Sequence, residues 1–190
     1  MMKKYFLILT ALVLTACTAT PHKSQLNLPQ QIEHNKQVYQ LASQQDLDSM
    51  AHYVYLLPSE NIKNWQSAVD ILLDRNEANW SLQQRIDVRT RVFKNTDVRY
   101  FQFEPSKDDV FAYVLYEPSE KNKDWQVDVL HGKQMARCGY VEYKYSLKVP
   151  KSDKMMNMNS TKVASYLQKY VIDKELQFLR QSEWTLQCLK

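Results

Sequence analysis

The sequence predicts an α+β domain, an antiparallel β-meander of about five to six strands flanked by an N-terminal helix and a long C-terminal helix. Three observations carry that prediction. Short runs alternate apolar and polar residues, most clearly at 136–149, where Val141, Tyr143, Tyr145, Leu147 and Val149 face one way and Glu142, Lys144, Ser146 and Lys148 the other. A stretch from Ser160 to Arg180 repeats its apolar residues at helical spacing. Twelve tyrosines and four tryptophans suit an aromatic-rich antiparallel sheet.

Length and composition set the outer bounds. A chain of 190 residues, 44% hydrophobic and 24% charged, matches one globular domain with a real core. The glycines are two, Gly132 and Gly139, so phosphate-cradling GxGxxG and P-loop motifs are excluded. A net charge of +4 is too small an excess to argue for a nucleic-acid partner.

The chain begins with a basic segment, 1–4, and an apolar run of ten residues, 5–14. A membrane-spanning helix needs about 20 such residues, so this run has signal-peptide length. It ends in Leu14-Thr15-Ala16-Cys17. That sequence resembles the lipobox of bacterial lipoproteins: an aliphatic residue, a small or β-branched one, a small one, and the Cys that receives lipid. The resemblance implies that residues 1–16 are a cleaved signal peptide and that lipidated Cys17 starts a mature chain of 174 residues. Lipoproteins of this kind carry two or three acyl chains, which anchor firmly where one would not. Thr18 stands where an Asp would imply retention in the inner membrane, so the resemblance implies the cell outer membrane, with the domain in the periplasm or at the cell surface. Losing Lys3 and Lys4 with the signal leaves 23 Lys/Arg against 21 Asp/Glu, a net +2.

Residues 17–36 read as a lipidated tether: small and polar, with Pro21 and Pro29, no aromatic residue, and too little apolar surface to order themselves. The single α+β domain then runs over 37–190. At 37–45 strand and helix are equally compatible with the sequence. Residues 50–57 are apolar on both faces and stop at Pro58, which predicts a buried strand. Ser59 can cap a helix over 60–75, with Ile62, Trp65, Val69, Leu72 and Leu73 on one stripe.

Two readings compete at 82–93. Leu82, Ile86, Arg89 and Phe93 would share a helical face, whereas Ile86, Val88, Thr90 and Val92 alternate with Arg85, Asp87, Arg89 and Arg91. Four β-branched residues at period two favour the strand, in a hairpin that sets Thr90 opposite Phe101 and Val88 opposite Phe103. A central strand follows at 110–116, another at 125–131 with a turn at His131-Gly132, then the strand at 136–149 closed by Pro150. Asn159 or Ser160 caps the last helix, whose buried side holds Val163, Tyr166, Leu167, Tyr170, Val171 and Phe178. A short strand ends the chain within 183–189.

Candidate sites are few. Once Cys17 is lipidated, Cys138 and Cys188 remain, an even pair that an oxidising compartment favours as a disulfide, with two buried free thiols as the alternative. Strict alternation puts Cys138 on the polar face and Cys188 on the apolar one, which a bulge at Gly139 would reconcile. A nucleophilic Cys would need a base and a depressed thiol pKa, and no local Cys-His signature accompanies either residue. His22, His34, His52 and His131 show no zinc-ligand spacing, so no metal and no cofactor is expected, and His52 and His131 read as packing and surface residues. On the predicted strand Arg85, Arg89 and Arg91 share a face that could hold an anionic group of lipid A, peptidoglycan or a partner. A solvated face balanced by Asp87 and Glu104 explains the same residues. The loop carboxylates Asp108, Asp109, Glu117, Glu120, Asp124 and Asp128 are explained by solubility, and GxSxG and SxxK motifs do not occur.

The expectation is therefore a non-enzymatic lipoprotein, held to the membrane by its N-terminal lipid, that binds or supports an envelope protein, a membrane barrel or peptidoglycan. An inhibitor or immunity-type lipoprotein neutralising a periplasmic toxin or hydrolase is the alternative. An envelope hydrolase whose site is assembled from distant residues is a third.

Overall fold

The structure, a computed structural model, describes residues 26–120 and 122–189. The signal peptide, Cys17, Thr18 and His22 lie outside the described residues.

Fold class is as expected in kind and larger in extent. Among the described residues, eight strands form one antiparallel sheet in the order β2-β3-β4-β5-β9-β8-β7-β6, and a separate two-stranded ribbon pairs β1 with β10. The strands are β1 (Leu26–Asn27), β2 (Gln31–His34), β3 (Gln37–Asp46), β4 (Met50–Leu56), β5 (Ser67–Asp74), β6 (Tyr100–Ser106), β7 (Asp109–Tyr116), β8 (Trp125–Met135), β9 (Gly139–Val149) and β10 (Gln187–Cys188). Two four-stranded meanders, β2–β5 and β6–β9, meet where β9 pairs with β5 from Ser67↔Leu147 to Asp74↔Tyr140. The helix α1 (Leu82–Asn95) connects them, and after β9 come α2 (Asp153–Met156), α3 (Ser160–Leu167) and α4 (Asp173–Gln181).

The domain starts earlier than expected. Leu26 and His34, assigned to the tether by composition, are buried in β1 and β2. The composition argument failed because these segments draw their apolar neighbours from distant strands. Tyr55 donates its hydroxyl to the Pro29 carbonyl at 2.9 Å, and His34 lies against Tyr145.

The helix expected over 60–75 is instead a turn followed by β5. Ile62 is half exposed in that turn, while Val69, Ile71 and Leu73 are fully buried on one face and Ala68 on the other. The strand alternates Val69, Ile71 and Leu73 with Asp70, Leu72 and Asp74, but Leu72 on the second face completes a chance helical stripe with Ile62, Trp65, Val69 and Leu73, and that stripe outweighed the alternation.

The strand expected over 85–92 is the helix α1. Its start is a capping box: Ser81 Oγ accepts from the Gln84 amide at 3.2 Å, and Gln84 Oε1 accepts from the Ser81 amide at 2.8 Å. Burial then follows helical spacing, for Ile86 is buried whereas Val92 is 50% exposed. Phe101 and Phe103 accordingly pair with Val114 and Ala112 on β7, and Phe93 packs on both rings from above.

His131-Gly132 is no turn but the middle of β8, paired with Tyr143 and Glu142. The glycine is needed there because the Tyr140 ring occupies the space a Cβ would fill.

The C-terminal helical segment starts as expected, with Asn159 Oδ1 accepting from the Lys162 amide at 2.9 Å. A π-helical turn at Gln168–Ile172 then shifts its inward face. The buried residues run Leu167, Ile172, Leu176 and Leu179, so Tyr170, expected inside, is 48% exposed. This helix packs on the sheet face that carries Val69, Ile71, Val127, Val129, Val141 and Tyr145, and the main core lies between them.

Candidate functional site

The opposite face carries the charges. The registers Val54↔Asp70 and Asp70↔Lys144 set His52, Asp70 and Lys144 across three adjacent strands, with Asp128 on the fourth. His52 Nε2 lies 2.8 Å from Asp70 Oδ1, and Lys144 Nζ lies 3.7 Å from Asp70 and 4.0 Å from Asp128. Asp128 is buried and accepts from Gln126 Nε2 at 2.9 Å, so the expectation of a solvated loop carboxylate is corrected. Burial raises its pKa, against the opposing pull of Lys144 and hydrogen bonds from Gln126 and Ser146. For Lys144 burial acts downward, but Asp128, Asp70, Glu142 and Tyr116 outweigh it and leave the ammonium more strongly protonated than usual. Tyr116 beside them is pushed up to about 12 by burial and then by Asp128.

Two of the three singled-out arginines reach this face from α1. Arg85 bonds Asp74 and, at 2.6 Å, Asn76 Oδ1, and its guanidinium lies 4.8 Å from the Tyr140 ring centroid. Arg89 pairs with buried Glu142 at 2.6 Å, and Glu142 also accepts the Tyr140 hydroxyl at 3.2 Å. The Glu142 charge, more than its burial, sets the Arg89 pKa above the ordinary arginine value. Arg91 points away into solvent, because i and i+4 share a helix face while i and i+6 do not. The common anion-binding strip of Arg85, Arg89 and Arg91 is thus not assembled. Arg85 and Arg89 have protein carboxylates in their forks, and Glu104, expected to balance them, pairs with Arg180. The strip runs out at Tyr116 and Gln126 into a polar depression of about 520 Å³ bounded by Thr96–Arg99 and Tyr116–Ser119.

The helix-covered face holds a second polar set, which sequence reasoning missed. His34, fully buried, lies 2.9 Å from the Tyr143 hydroxyl and 3.0 Å from Glu175 Oε2, with its ring stacked 4.0 Å from Tyr145. Asn35 Nδ2 donates to the same carboxylate at 2.8 Å. A carboxylate–imidazole–phenol line centred on fully buried His34 joins β2 to α4, and its Glu175 end reaches the surface, where Asn35 meets it. Nearby, His131 Nε2 meets Asp109 Oδ1 at 2.7 Å under Trp184 and Phe111. Burial lowers its pKa despite Asp109. It borders a cavity of about 180 Å³ shared with Tyr143, Phe178 and Trp184. The one signal for His34 was its alternation with Ile32 ahead of Asn35-Lys36, a turn whose two residues both have positive φ.

Cys138 and Cys188 are bonded, with sulfurs 2.00 Å apart. No bulge is involved: Cys138 lies in the β8–β9 turn, outside the alternation, and Gly139 (φ 95°) pairs directly with Met135. Among the described residues no group of three or more His, Cys, Asp or Glu is placed to hold a metal ion.

A family model matches residues 26–184. An uncharacterised protein of Haemophilus influenzae is 38% identical over 195 residues, covering the whole of both chains. No solved structure matches the chain.

Proposed function

The chain belongs to the family whose model spans residues 26–184, and for this member we propose an outer-membrane-anchored lipoprotein, not an enzyme, whose α+β domain binds or supports another envelope component. The observation that carries the reading is a spacing. Eight residues separate the lipobox cysteine, Cys17, from Leu26, the first residue of β1, so the two lie nine positions apart. At about 3.6 Å per residue, a fully extended chain reaches roughly 30 Å, whatever its conformation. A domain on so short a lead works beside the membrane, and a partner seated in or on that membrane, such as the loops of a barrel, is within its reach.

The ion-paired strip supports binding over catalysis. Its carboxylates are matched by Lys144 and Arg89, with His52 within hydrogen-bond distance of Asp70, and their geometry serves to hold the sheet face and α1 together. The depression at its end, about 520 Å³ and open to solvent, offers polar side chains that a partner could engage.

Two measurements test the reading together. Mass spectrometry of the protein from envelopes should find Cys17 acylated as the first residue. Crosslinking in intact envelopes should then enrich one envelope component with wild type and lose it with Cys17→Ser. An unmodified Cys17, or equal enrichment from the Cys17→Ser chain, overturns the proposal. Recovery of a toxin or hydrolase as the partner would replace it with the inhibitor reading.

A further inference from the structure

The two ends of the sheet differ in what they expose. One end gathers the start of β4, the end of β5 and the β8–β9 turn. The Arg75 amide donates to the Ser49 carbonyl at 2.9 Å, and the Gly139 backbone lies against Asp74 and Arg75. Leu26 comes to this same end, paired with Cys188, which is bonded to Cys138 in that turn. Leu26 and Leu189 also line one cleft with Gln44, Gln45 and Asp46, the residues that lead into Leu47. The polar depression, bounded by the end of β7 and the start of β8, lies at the other end.

Four of the nine most exposed large apolar side chains among the described residues cluster at the Leu26 end: Leu47 (55% exposed), Met50 (39%), Trp80 (41%) and Leu189 (41%). They are not loose. Asn76 grips the Trp80 backbone twice, accepting from its amide at 2.7 Å and donating to its carbonyl at 3.1 Å. The Leu47 amide donates to the Met50 carbonyl at 2.8 Å. The loops thus hold an indole and two aliphatic tips outward, at a cost in hydration that an unoccupied surface would not favour.

We infer that Leu47, Met50 and Trp80 form a bilayer-contacting edge that dips into the lipid interface beside the anchor. The inference rests on the lipoprotein reading: the lead from Cys17 enters the domain at Leu26, at this end of the sheet, and the depression lies at the other. Tryptophan with aliphatic neighbours suits the interface, where the ring meets acyl carbon and its N–H meets headgroups. Asp48, Glu77 and Arg137 at the same end are exposed and of both signs, so the attraction is apolar contact rather than charge. The opposite end, with its polar depression, is then held off the membrane by a sheet whose strands of seven to eleven residues span about 23–37 Å.

The test uses the full lipidated protein in vesicles of phosphatidylethanolamine and phosphatidylglycerol containing brominated acyl chains. Bromine should quench part of the tryptophan emission, and Trp80→Phe should abolish that quenchable part while leaving the other three tryptophans unaffected. Leu47→Glu with Met50→Glu should reduce the quenching at least about threefold with the circular dichroism unchanged. Lipidated wild type that shows no quenching, or equal quenching in Trp80→Phe, overturns the inference and leaves the lipoprotein reading intact. Shielding of Trp80 that follows protein density instead of brominated lipid assigns the edge to a second copy and also overturns it. An unmodified Cys17 removes the lipoprotein reading, and this inference falls with it.

Discussion

The two faces of the sheet are closed by different physics. One is largely apolar, with Val69, Ile71, Val127, Val129 and Val141 under α3 and α4, and burial of area holds it closed, with the His34 and His131 pairs at its margin. The other has a small apolar patch, Ile86 on Val110, Ala112, Leu130 and Tyr140, and is otherwise fastened by ion pairs. Nondirectional packing tolerates the slip that the π-helical turn introduces, since Ile172 finds a place among many neighbours. Ion pairs do not tolerate slippage, and so α1 sits where Arg85 and Arg89, one turn apart, each meet their own carboxylate. One face is built for stability and the other for position.

The largest effect should come from unfastening the apolar face at its edge. The Cys138–Cys188 bridge spans 50 residues and ties the tail beyond α4 to the β8–β9 turn. Cys138→Ser with Cys188→Ser should cost about 4 kcal/mol in urea unfolding, mainly by freeing the unfolded chain. A loss below about 1 kcal/mol would mean that packing alone closes this face. On the charged face Arg89→Ala should cost about 3 kcal/mol, because Glu142 is left buried without its counterion. Arg89→Met combined with Glu142→Leu should recover most of that loss, as apolar pairs of similar volume replace buried ion pairs well. If the double variant is as unstable as the single one, the pair is not what fixes α1.

This contrast also explains what the sequence could reveal. The α+β class, the long capped C-terminal helix, the strand at 50–57 and the pairing of the two cysteines, though not its geometry, depend on local pattern or simple parity and were legible. The strand β5 was hidden because Leu72, on its second face, completed a chance helical stripe. The helix α1 was hidden by its β-branched residues, although Ser81-x-x-Gln84 announced it. The ion-paired face was not legible at all. Asp70, Lys144 and Asp128 are brought together by the β5–β9 pairing of two separate meanders, a contact between residues more than 70 positions apart that no local spacing encodes. The same holds for His34 and Glu175, separated by 141 positions.

The smallest effects separate the faces by the direction of their pH dependence. His131, beneath the helix-covered face, has its pKa lowered by burial, so the fold prefers the neutral ring. Its contribution is present above the unfolded value near pH 6.5 and is lost as pH falls through the lower folded value. Asp128, on the charged face, has its pKa raised by burial, so the fold prefers the protonated acid. Its contribution is complete only below the unfolded value near 3.9 and is lost as pH rises through the higher folded value. Melting curves from pH 7.5 to pH 5 should therefore show His131→Gln losing less stability than wild type. Asp128→Asn should gain most relative to wild type at pH 7.5 and lose that advantage as acid protonates the native carboxyl, since Asp70 remains beside Lys144. If both variants shift in the same direction, the two faces share one electrostatic environment, and the division between a face that stabilises and a face that positions does not hold.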